Sequence, residues 1–197
     1  MKEKITFADG LVYEGDLVDG IPNGKGKLIF TDGMVYEGDI VNSIPNGKGR
    51  LTLANGTYCE GDFVHGRPQG KGKCVWSDVT WAEDGRTVYE GDFGGGVPNG
   101  KGKLSFTDGT FYEGDFVNEL FQGKGKLTLA NGSIYEGDFV KGVLHGKGKY
   151  TSDDGIVYEG NFDCGVAIGK GKMIYPDGKV KEGTWKDEKF IEKTNNK

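Results

Sequence analysis

The sequence has little of what most enzymes and most nucleic-acid-binding proteins depend on. Its 197 residues include 2 histidines and 3 cysteines, and the cysteines form no CxxC pair. This odd, scattered set of cysteines indicates neither a disulfide framework nor a zinc site, and it favours a reducing compartment. Acidic residues outnumber basic residues by 30 to 25, which argues against a nucleic-acid partner.

Long apolar runs are also missing. The chain starts MKEKITFAD, without the apolar core of a signal peptide, and no later segment approaches the roughly 20 apolar residues of a membrane helix. We therefore expect a cytoplasmic protein, with association to the cytoskeleton or to a membrane left open. Apolar residues make up 35% and aromatic residues 12% of the chain, which predicts a small core rich in rings.

Glycine is abundant, with 37 copies, and its placement is periodic. An acidic residue followed by glycine occurs at Gly15, again at Gly38, and onward in steps of 23 residues. A Gly-Lys-Gly triplet follows seven of the eight marks, all but the last at Gly183. One step, from Gly61 to Gly91, is seven residues longer, and the excess falls near residues 78–84. Such self-similarity is typical of repeat proteins, in which each unit contacts its neighbours.

The repeated unit resembles the MORN repeat, and the resemblance covers nearly all of the chain. It rests on Tyr-Glu-Gly-Asp-Phe, as at Tyr112 to Phe116, and on the Gly-Lys-Gly that follows at Gly123 to Gly125. An Asp-Gly or Asn-Gly pair then precedes the next tyrosine. Members of the family usually carry tryptophan at the last position of the Tyr-Glu-Gly-Asp-Phe motif, and here Trp185 keeps it. The other units have Leu17, Ile40, Phe63, Phe93, Phe116, Phe139 and Phe162 at this position. This departure is expected to change the ring chemistry and not the fold.

The repeats predict an all-β fold, an elongated single-layer antiparallel sheet of tandem β-hairpins that forms a curved and twisted rod or trough. The array is expected to span residues 1–185 as a half unit, seven full units and a final half unit. Residues 186–197 form a polar tail. For this tail a short helical cap over the last sheet edge and disorder beyond Lys193 are both open.

Within one unit, strand alternation puts Tyr13 and Gly15 on one face and Glu14 on the other. Carboxylates such as Glu14 are expected to meet lysines of the second strand of the same hairpin. The Gly/Pro/Asn cluster Asp19 to Asn23 is expected to form the turn. Rings such as Tyr13 are expected to lie over strand glycines such as Gly26, which would explain why both residue types are abundant.

Two motifs that could indicate ligand chemistry are better explained as turns. Gly20 to Lys25 reads GIPNGK, which has one residue too few between its glycines for a phosphate-binding loop and no Ser or Thr after the lysine. Asp153, Asp154 and Gly155 could begin a calcium loop, but Glu159 follows too closely for the glutamate of an EF-hand. Neither motif predicts a bound ligand.

The remaining reactive side chains are scattered. His65 and His145 fall in similar turn regions of different units, too far apart to share a metal or a catalytic triad. Cys59 and Cys74 occupy core positions of the repeat and are expected to be small buried residues, whereas Cys164 is expected at an exposed turn. We therefore expect no catalytic, cofactor-binding or metal-binding residues and no enzymatic activity.

An uncovered single-layer sheet is expected to expose a stripe of rings, and such stripes mark interaction surfaces. The expected protein-binding residues are Tyr13, Tyr36, Tyr89, Phe93, Tyr112, Phe116, Tyr135, Phe139, Tyr158 and Phe162. The alternative is that these rings chiefly cover glycines. Trp81, inside the insertion, is expected to be either a tether that folds the inserted loop down or an exposed protein-binding anchor.

The resemblance implies an interaction module, because MORN arrays accompany lipid kinases, junctophilins and cytoskeletal proteins and serve their assembly or targeting. We expect a non-enzymatic scaffold that binds a partner helix or peptide along an aromatic-lined groove, in a cytoskeletal, ciliary or membrane-peripheral complex. The alternative is a peripheral module that binds phosphoinositides through its lysine rows. A bacterial effector or immunity-type protein is a third reading, and the end strands leave a homodimer open.

Overall fold

The chain is built from β-hairpins that follow one another along the sequence. A computed structural model describes residues 3–77, 87–186 and 189–193. These residues form seventeen strands and no helix, which agrees with the predicted all-β fold. The described part therefore has no helix that is long and apolar enough to cross a membrane.

The strands belong to two compact units, Met1–Thr107 and Asp108–Lys197. The first unit has nine described strands, and each pairs antiparallel with the one before it. These strands are β1 (Glu3–Thr6), β2 (Val12–Val18), β3 (Ile21–Ile29), β4 (Val35–Val41), β5 (Ile44–Thr52), β6 (Tyr58–Val64), β7 (Arg67–Trp76), β8 (Thr87–Gly94) and β9 (Val97–Phe106). β1 lies in the segment where the opening half unit was predicted. The predicted insertion at 78–84 lies outside the described residues.

The second unit has eight described strands, again paired in chain order and antiparallel. These strands are β10 (Phe111–Val117), β11 (Leu120–Thr128), β12 (Ile134–Val140), β13 (Val143–Thr151), β14 (Val157–Asp163), β15 (Val166–Ile174), β16 (Val180–Lys186) and β17 (Lys189–Glu192). Each unit is therefore an open antiparallel sheet of tandem hairpins, as the sequence predicted.

The seven hairpins from β2–β3 to β14–β15 each reverse direction over two residues. In the first hairpin these are Asp19, with φ of 50°, and Gly20, with φ of 77°. Positive φ at both central residues is typical of the type I′ turn, whose twist matches that of the flanking strands. The turn is therefore shorter than the predicted segment Asp19 to Asn23, and β3 already begins at Ile21.

A bulge interrupts the pairing in the middle of each of these seven hairpins. Gly15 pairs directly with Gly26, but the register shifts before Leu17. A bulge bends its strand and increases the local twist. The Asp16 carboxylate stabilises the bend, because its Oδ2 accepts a hydrogen bond from the backbone N–H of Lys25 at 3.3 Å.

Tyrosine rings cover the paired glycines. Tyr13 is completely buried, and its ring occupies the space where side chains on Gly15 and Gly26 would lie. A Cβ atom on Gly26 would come within 2.7 Å of the Tyr13 hydroxyl oxygen, so no larger residue fits without a shift. The hydroxyl donates a hydrogen bond to the carbonyl oxygen of Asp16 at 2.5 Å. The predicted packing of rings over strand glycines is confirmed.

Tight connections join one hairpin to the next. The N–H of Phe30 donates to the carbonyl oxygen of Met34 at 2.9 Å, and the N–H of Met34 donates to Asp32 Oδ1 at 3.0 Å. Gly33, next to this aspartate, has φ of 86°, which favours glycine. The predicted role of the Asp-Gly pair in the connection between strands is confirmed.

The lysines of the Gly-Lys-Gly-Lys segments form ion pairs with both neighbouring strands. Lys27 Nζ lies 2.9 Å from Glu37 Oε1 on the following hairpin. Its partner within its own hairpin was predicted to be Glu14, which does lie opposite it in the register. Lys172 and Glu159 form a pair of that predicted kind, 2.8 Å apart. A strand between two others therefore offers its lysines an acidic neighbour on each side.

The C-terminal segment covers the last hairpin with a strand, β17, and not with the helical cap that was one expectation. Phe190 lies opposite Trp185 in the register, and the two ring centroids are 6.0 Å apart. Lys181 Nζ also contacts Glu192 Oε2 at 2.7 Å. The free edge of β16 offers backbone hydrogen-bonding groups that a strand satisfies and a helix does not. Residues 194–197, for which disorder was the alternative, lie outside the described residues.

Cys59 and Cys74 form a disulfide, which the sequence argument did not expect. The two residues are direct cross-strand partners in β6 and β7, with Cα atoms 4.1 Å apart. They replace the pair that Tyr13 and Leu28 make in the first hairpin. The prediction of two unpaired core cysteines was wrong. The two cysteines are 15 residues apart in the sequence, and the register of the hairpin brings these positions face to face.

Candidate functional site

The structure places the predicted ring residues in the core. Nine of them are buried and Tyr135 is half-buried, the nine being Tyr13, Tyr36, Tyr89, Phe93, Tyr112, Phe116, Phe139, Tyr158 and Phe162. A buried ring has almost no surface to offer a partner, which favours the alternative that these rings cover glycines. Protein binding by them stays a prediction, and Trp81 lies outside the described residues.

Rings from four strands of the second unit meet around a cavity of about 380 Å³. We call this space the ring cavity. Its large apolar wall residues are Tyr135, Tyr150, Tyr158, Phe162, Met173 and Trp185. Asp153 and Asp154 add carboxylates to the wall, and both residues are exposed. The ring cavity therefore combines an apolar interior with negative charge at its rim.

Ala167 is one cause of the ring cavity. It stands at the position that larger side chains fill in the six preceding units, namely Pro22, Pro45, Pro68, Pro98, Phe121 and Leu144. Phe121 and Leu144 show what such a side chain does. Phe121 stacks on Tyr112 with ring centroids 3.8 Å apart, and Leu144 is 2% exposed. With alanine at this position, the space between Tyr158 and its neighbours stays open.

Ser152 is the second cause. The equivalent residues in the other units are large and apolar or aromatic, namely Phe7, Phe30, Leu53, Trp76, Phe106, Leu129 and Tyr175. The Ser152 hydroxyl turns to the adjacent turn instead, where it hydrogen-bonds the Asp154 carboxylate and accepts the N–H of Ile156 at 3.0 Å. A small polar residue thus replaces a bulky one directly beside the cavity.

The position of Tyr135 is the third cause. In other hairpins the tyrosine covers the glycine pair, but here Leu144 lies over Gly137 and Gly148, with its Cδ atoms near both. Tyr135 packs against Tyr150 instead, with ring centroids 4.7 Å apart. Burial raises the pKa of the Tyr135 phenol above its usual value. The displaced ring becomes a wall of the ring cavity.

The opposite wall is formed by the end of the sheet. Trp185 packs edge to face against Tyr158, with ring centroids 5.7 Å apart and an interplanar angle of 81°. Its indole Nε1 is buried and has no hydrogen-bond partner among the residues that the structure describes. Tyr158 donates a long hydrogen bond, 3.4 Å, to the carbonyl oxygen of Ile168. The walls are thus held by ring packing more than by polar contacts.

The Asp154 carboxylate at the rim is held in its charged form. The hydrogen bond from the Ser152 hydroxyl lowers the pKa of Asp154 below its usual value, and the backbone N–H of Ile156 acts in the same direction. Asp153 lies beside it in the same turn. An occupant with a positive charge is therefore favoured at this end of the ring cavity.

The sequence argument named three of the wall residues, Tyr135, Tyr158 and Phe162, and missed Ser152 and Ala167, which make the space. The missing signal was present in the sequence. It consists of the departures from the repeat at equivalent positions, where a small residue replaces a large one. The shared pattern of the units does not reveal a site that such exceptions create.

A second cluster brings three reactive side chains together at a hairpin turn, and these are His145, Asp163 and Cys164. The prediction that His65 and His145 do not share a metal stays a prediction, and it did not consider the side chains of the neighbouring turn. A hydrogen bond from the thiol to Asp163 and the charge of that carboxylate raise the pKa of the Cys164 thiol. Cys164 is exposed, as predicted.

Comparison with known protein families supports the repeat assignment. The MORN repeat matches the chain at seven places, which are residues 13–35, 36–58, 59–78, 89–111, 112–134, 135–157 and 158–180. These matches cover well over half of the sequence, and their number agrees with the seven full units that the periodicity predicted. A search of curated proteins by sequence gives no match.

Comparison with solved structures agrees with this fold. The TCP domain of SAS-4 (dCPAP) of Drosophila melanogaster, in complex with a proline-rich motif of Ana2 (dSTIL), matches with a TM-score of 0.53 and 16% identity, over 93% of this chain and 90% of that one. At this identity the match shows the fold. Inactive virginiamycin B lyase from Staphylococcus aureus, at 14% identity over 92% of this chain and 54% of that one, has a TM-score of 0.18 and carries no argument.

Proposed function

Because the chain belongs to the MORN repeat family, whose arrays are interaction modules, we propose that it is a non-enzymatic protein-binding scaffold whose ring cavity holds an extended peptide. The observation that carries the proposal is the ring cavity itself. It is lined by tyrosine, phenylalanine and tryptophan and exists because two bulky repeat residues are replaced by Ser152 and Ala167.

The favoured occupant is a proline-containing segment with a basic residue beside it. Proline-rich segments adopt an extended helix whose rings pack well on aromatic walls, and they lose little conformational entropy on binding. A lysine or arginine next to the proline would lie near Asp153 and Asp154 at the rim. The structural neighbour that was solved with a proline-rich motif supports this choice of peptide chemistry.

The other predicted occupant, a helix along a continuous aromatic trough, is less well supported. A helix with its side chains is about 10–12 Å wide, and it would need a long exposed stripe. The rings that were expected to form such a stripe are buried against glycines, as Tyr36 and Phe63 illustrate at 0% and 1% exposed. A cavity of about 380 Å³ suits one or two side chains of an extended peptide.

The test is a binding titration in which the ring cavity is filled from inside. A fluorescent proline-rich peptide with one arginine is titrated with the full chain and with the variants Ala167→Leu and Ser152→Leu. Both variants insert a residue that the chain itself uses at the equivalent position, Leu144 and Leu129 respectively. We expect each to weaken binding by about tenfold or more.

Ser105→Ile is the matched control, since it also places a larger apolar residue of the repeat at a β-strand position, but in the first unit and away from the ring cavity. It should leave the affinity unchanged. A peptide in which glutamate replaces the arginine should bind more weakly to the unmodified chain. Equal affinity for the filled and unfilled proteins, with thermal melting showing that both are folded, would contradict the proposed site.

A further inference from the structure

Neighbouring hairpins contact each other near their turns through an amide side chain. In the first unit the Asn23 amide donates to Asn42 Oδ1 at 3.2 Å and accepts the backbone N–H of Asn42 at 3.2 Å. In the second unit the Gln122 side chain accepts the N–H of Lys141 at 3.2 Å. An amide side chain thus links one turn to the next.

The contact between β13 and the turn after β14 carries a different set of side chains. Three residues that bind metals in proteins replace three that rarely do, since His145, Asp163 and Cys164 stand at the positions of Gln122, Val140 and Lys141. An imidazole, a carboxylate and a thiol therefore replace an amide, an isopropyl group and an ammonium group. The repeat shows that its architecture requires none of the three replacements.

The three side chains converge on one point. His145 Nδ1 lies 3.3 Å from Asp163 Oδ1, and one ligand atom from each residue lies within 4.8 Å of the others. Across the described ranges, which omit 78–86 and the two chain ends, this is the one group of three such residues with this geometry. Ligand atoms around one tetrahedral zinc ion are roughly 3.3–3.8 Å apart, so side-chain shifts of about an ångström suffice.

A backbone hydrogen bond connects the turn that carries Asp163 and Cys164 to the strand that carries His145. Cys164 has φ of 48° in the two-residue turn, and the N–H of Gly165 donates to the carbonyl oxygen of Leu144 at 2.8 Å. Leu144 directly precedes His145 in the chain. The turn that carries Asp163 and Cys164 is therefore hydrogen-bonded to the strand that carries the histidine, which favours a site formed before metal arrives.

We propose that His145, Asp163 and Cys164 form a binding site for a divalent cation of the zinc class. Imidazole nitrogen and thiolate sulfur are ligands of Zn²⁺ and similar transition metals, whereas Ca²⁺ and Mg²⁺ take oxygen ligands. The thiol releases its proton when the metal binds. Three protein ligands leave the fourth tetrahedral position to water. The site is independent of peptide binding, although Gly165 and Val166, the next two residues, line the ring cavity.

Cobalt is the probe, because Co²⁺ occupies tetrahedral zinc sites and a cobalt–thiolate bond adds an absorption band in the near ultraviolet. The full chain carrying Cys59→Tyr and Cys74→Leu is titrated first, so that Cys164 is the remaining thiol. These changes give positions 59 and 74 the same residue types as Tyr13 and Leu28, the equivalent pair in the first hairpin. The unmodified oxidised chain, in which Cys59 and Cys74 are bridged, is titrated in parallel.

We expect both proteins to bind one equivalent of Co²⁺ with a thiolate band, and Zn²⁺ to displace it. Cys164→Asn should abolish the band without unfolding the chain, since Asn42 and Asn118 hold the same positive φ at the equivalent position. His145→Gln, which restores the residue of the preceding unit, should weaken binding by about tenfold or more.

His65→Gln is the matched control and should leave the cobalt titration unchanged. Absence of the thiolate band from the unmodified oxidised chain at saturating cobalt would overturn the proposal. A band that survives Cys164→Asn, or an affinity that is the same in the His145→Gln and His65→Gln proteins, would overturn it as well.

Discussion

Tyr135 lies directly opposite Tyr150 in the β12–β13 hairpin, with ring centroids 4.7 Å apart and ring planes tilted by 37°. In the β10–β11 hairpin the equivalent Tyr112 is fully buried and stacks on Phe121 instead. The difference follows from Leu144, which takes the space over the glycine pair that a tyrosine covers elsewhere. One repeat position therefore supports two ring placements, and a change at a neighbouring position selects between them.

The first prediction concerns the paired glycines. In Gly114→Ser the new Cβ would lie within 2.6 Å of both the Lys124 carbonyl oxygen and the Cα of Gly125, so backbone has to move. Overpacking of this kind costs about 1–3 kcal/mol. We expect a clear fall in the free energy of unfolding, measured by chemical denaturation.

Gly142→Ser is the matched control for this experiment. A Cβ at Gly142 meets nothing within 4 Å, and although its φ is 91°, Ser43 and Glu119 occupy the equivalent turn position at φ of 67° and 70°. We expect only a small loss of stability. Equal losses for the two serine variants would show that close packing is not what requires glycine in the strands.

The second prediction concerns the disulfide between Cys59 and Cys74. A bridge that closes a loop of about 15 residues stabilises a protein by about 3 kcal/mol in the chain-entropy model. We expect the oxidised chain to melt at a higher temperature than the reduced chain, with intact mass confirming the redox state. Cys164→Ser should not alter this difference. Identical melting of the two redox forms would remove the bridge as a source of stability.

The sequence predicted the fold well because the fold depends on what every unit shares. Period, strand alternation and the Asp-Gly connections determine the hairpins, and a ring over Gly26 was predicted from the tyrosines at Tyr13 and Tyr36. The bulge between Gly15 and Leu17 was not predicted, since it depends on how many residues each strand contributes between two pairs. The two-residue turn sets that number of residues. The composition of the Gly/Pro/Asn cluster predicted a longer turn.

The candidate site was predicted less well. Exposed rings were expected because a single-layer sheet has two open faces, but the curvature of each hairpin buries residues such as Tyr89 and Phe93 against one another, 5.0 Å between centroids. The cysteine pair was missed for a related reason. Cys59 and Cys74 were assigned to the right repeat positions, yet the register that joins those positions was not applied to them.

The third prediction concerns the loss of fold stability at high pH, when buried tyrosines ionise. Burial, followed by the nearby Asp39 carboxylate, raises the pKa of Tyr36 to about 12, and burial does the same for Tyr89 and Tyr112, again to about 12. A raised folded-state pKa means that the neutral phenol stabilises the fold. That stability is complete below the unfolded value of about 10 and is lost as pH rises through the folded value.

We therefore expect thermal stability to fall as pH rises from about 10 toward 12. Tyrosinate absorbance and the β-sheet signal in circular dichroism are followed together. The buried phenols should ionise in step with loss of the sheet. If all 9 tyrosines ionised near pH 10 while the sheet signal stayed intact, the buried hydroxyl positions would be contradicted.

The last prediction tests the phosphoinositide alternative, and it depends on charges that offset each other across neighbouring strands. Lys124 Nζ lies 2.7 Å from Asp138, and Lys126 Nζ lies 3.6 Å from Glu136. A basic residue gains about 1 kcal/mol near an anionic membrane. Paired carboxylates cancel most of that field beyond a Debye length of about 8 Å at physiological salt. We therefore expect the unmodified chain not to co-sediment with phosphoinositide vesicles.

Removing the offsetting charges should create the binding that the unmodified chain lacks. Asp138→Asn with Glu136→Gln replaces the two β12 carboxylates that pair with Lys124 and Lys126, while Glu113 stays opposite Lys126 on β10. Because the variant gains net positive charge, it should sediment with the vesicles at low salt and be released at high salt. Adding Lys124→Gln and Lys126→Gln to it should abolish the gain, which serves as the control for charge. Strong vesicle binding by the unmodified chain at physiological salt, lost when these two lysines alone are neutralised, would favour the membrane function over the peptide scaffold.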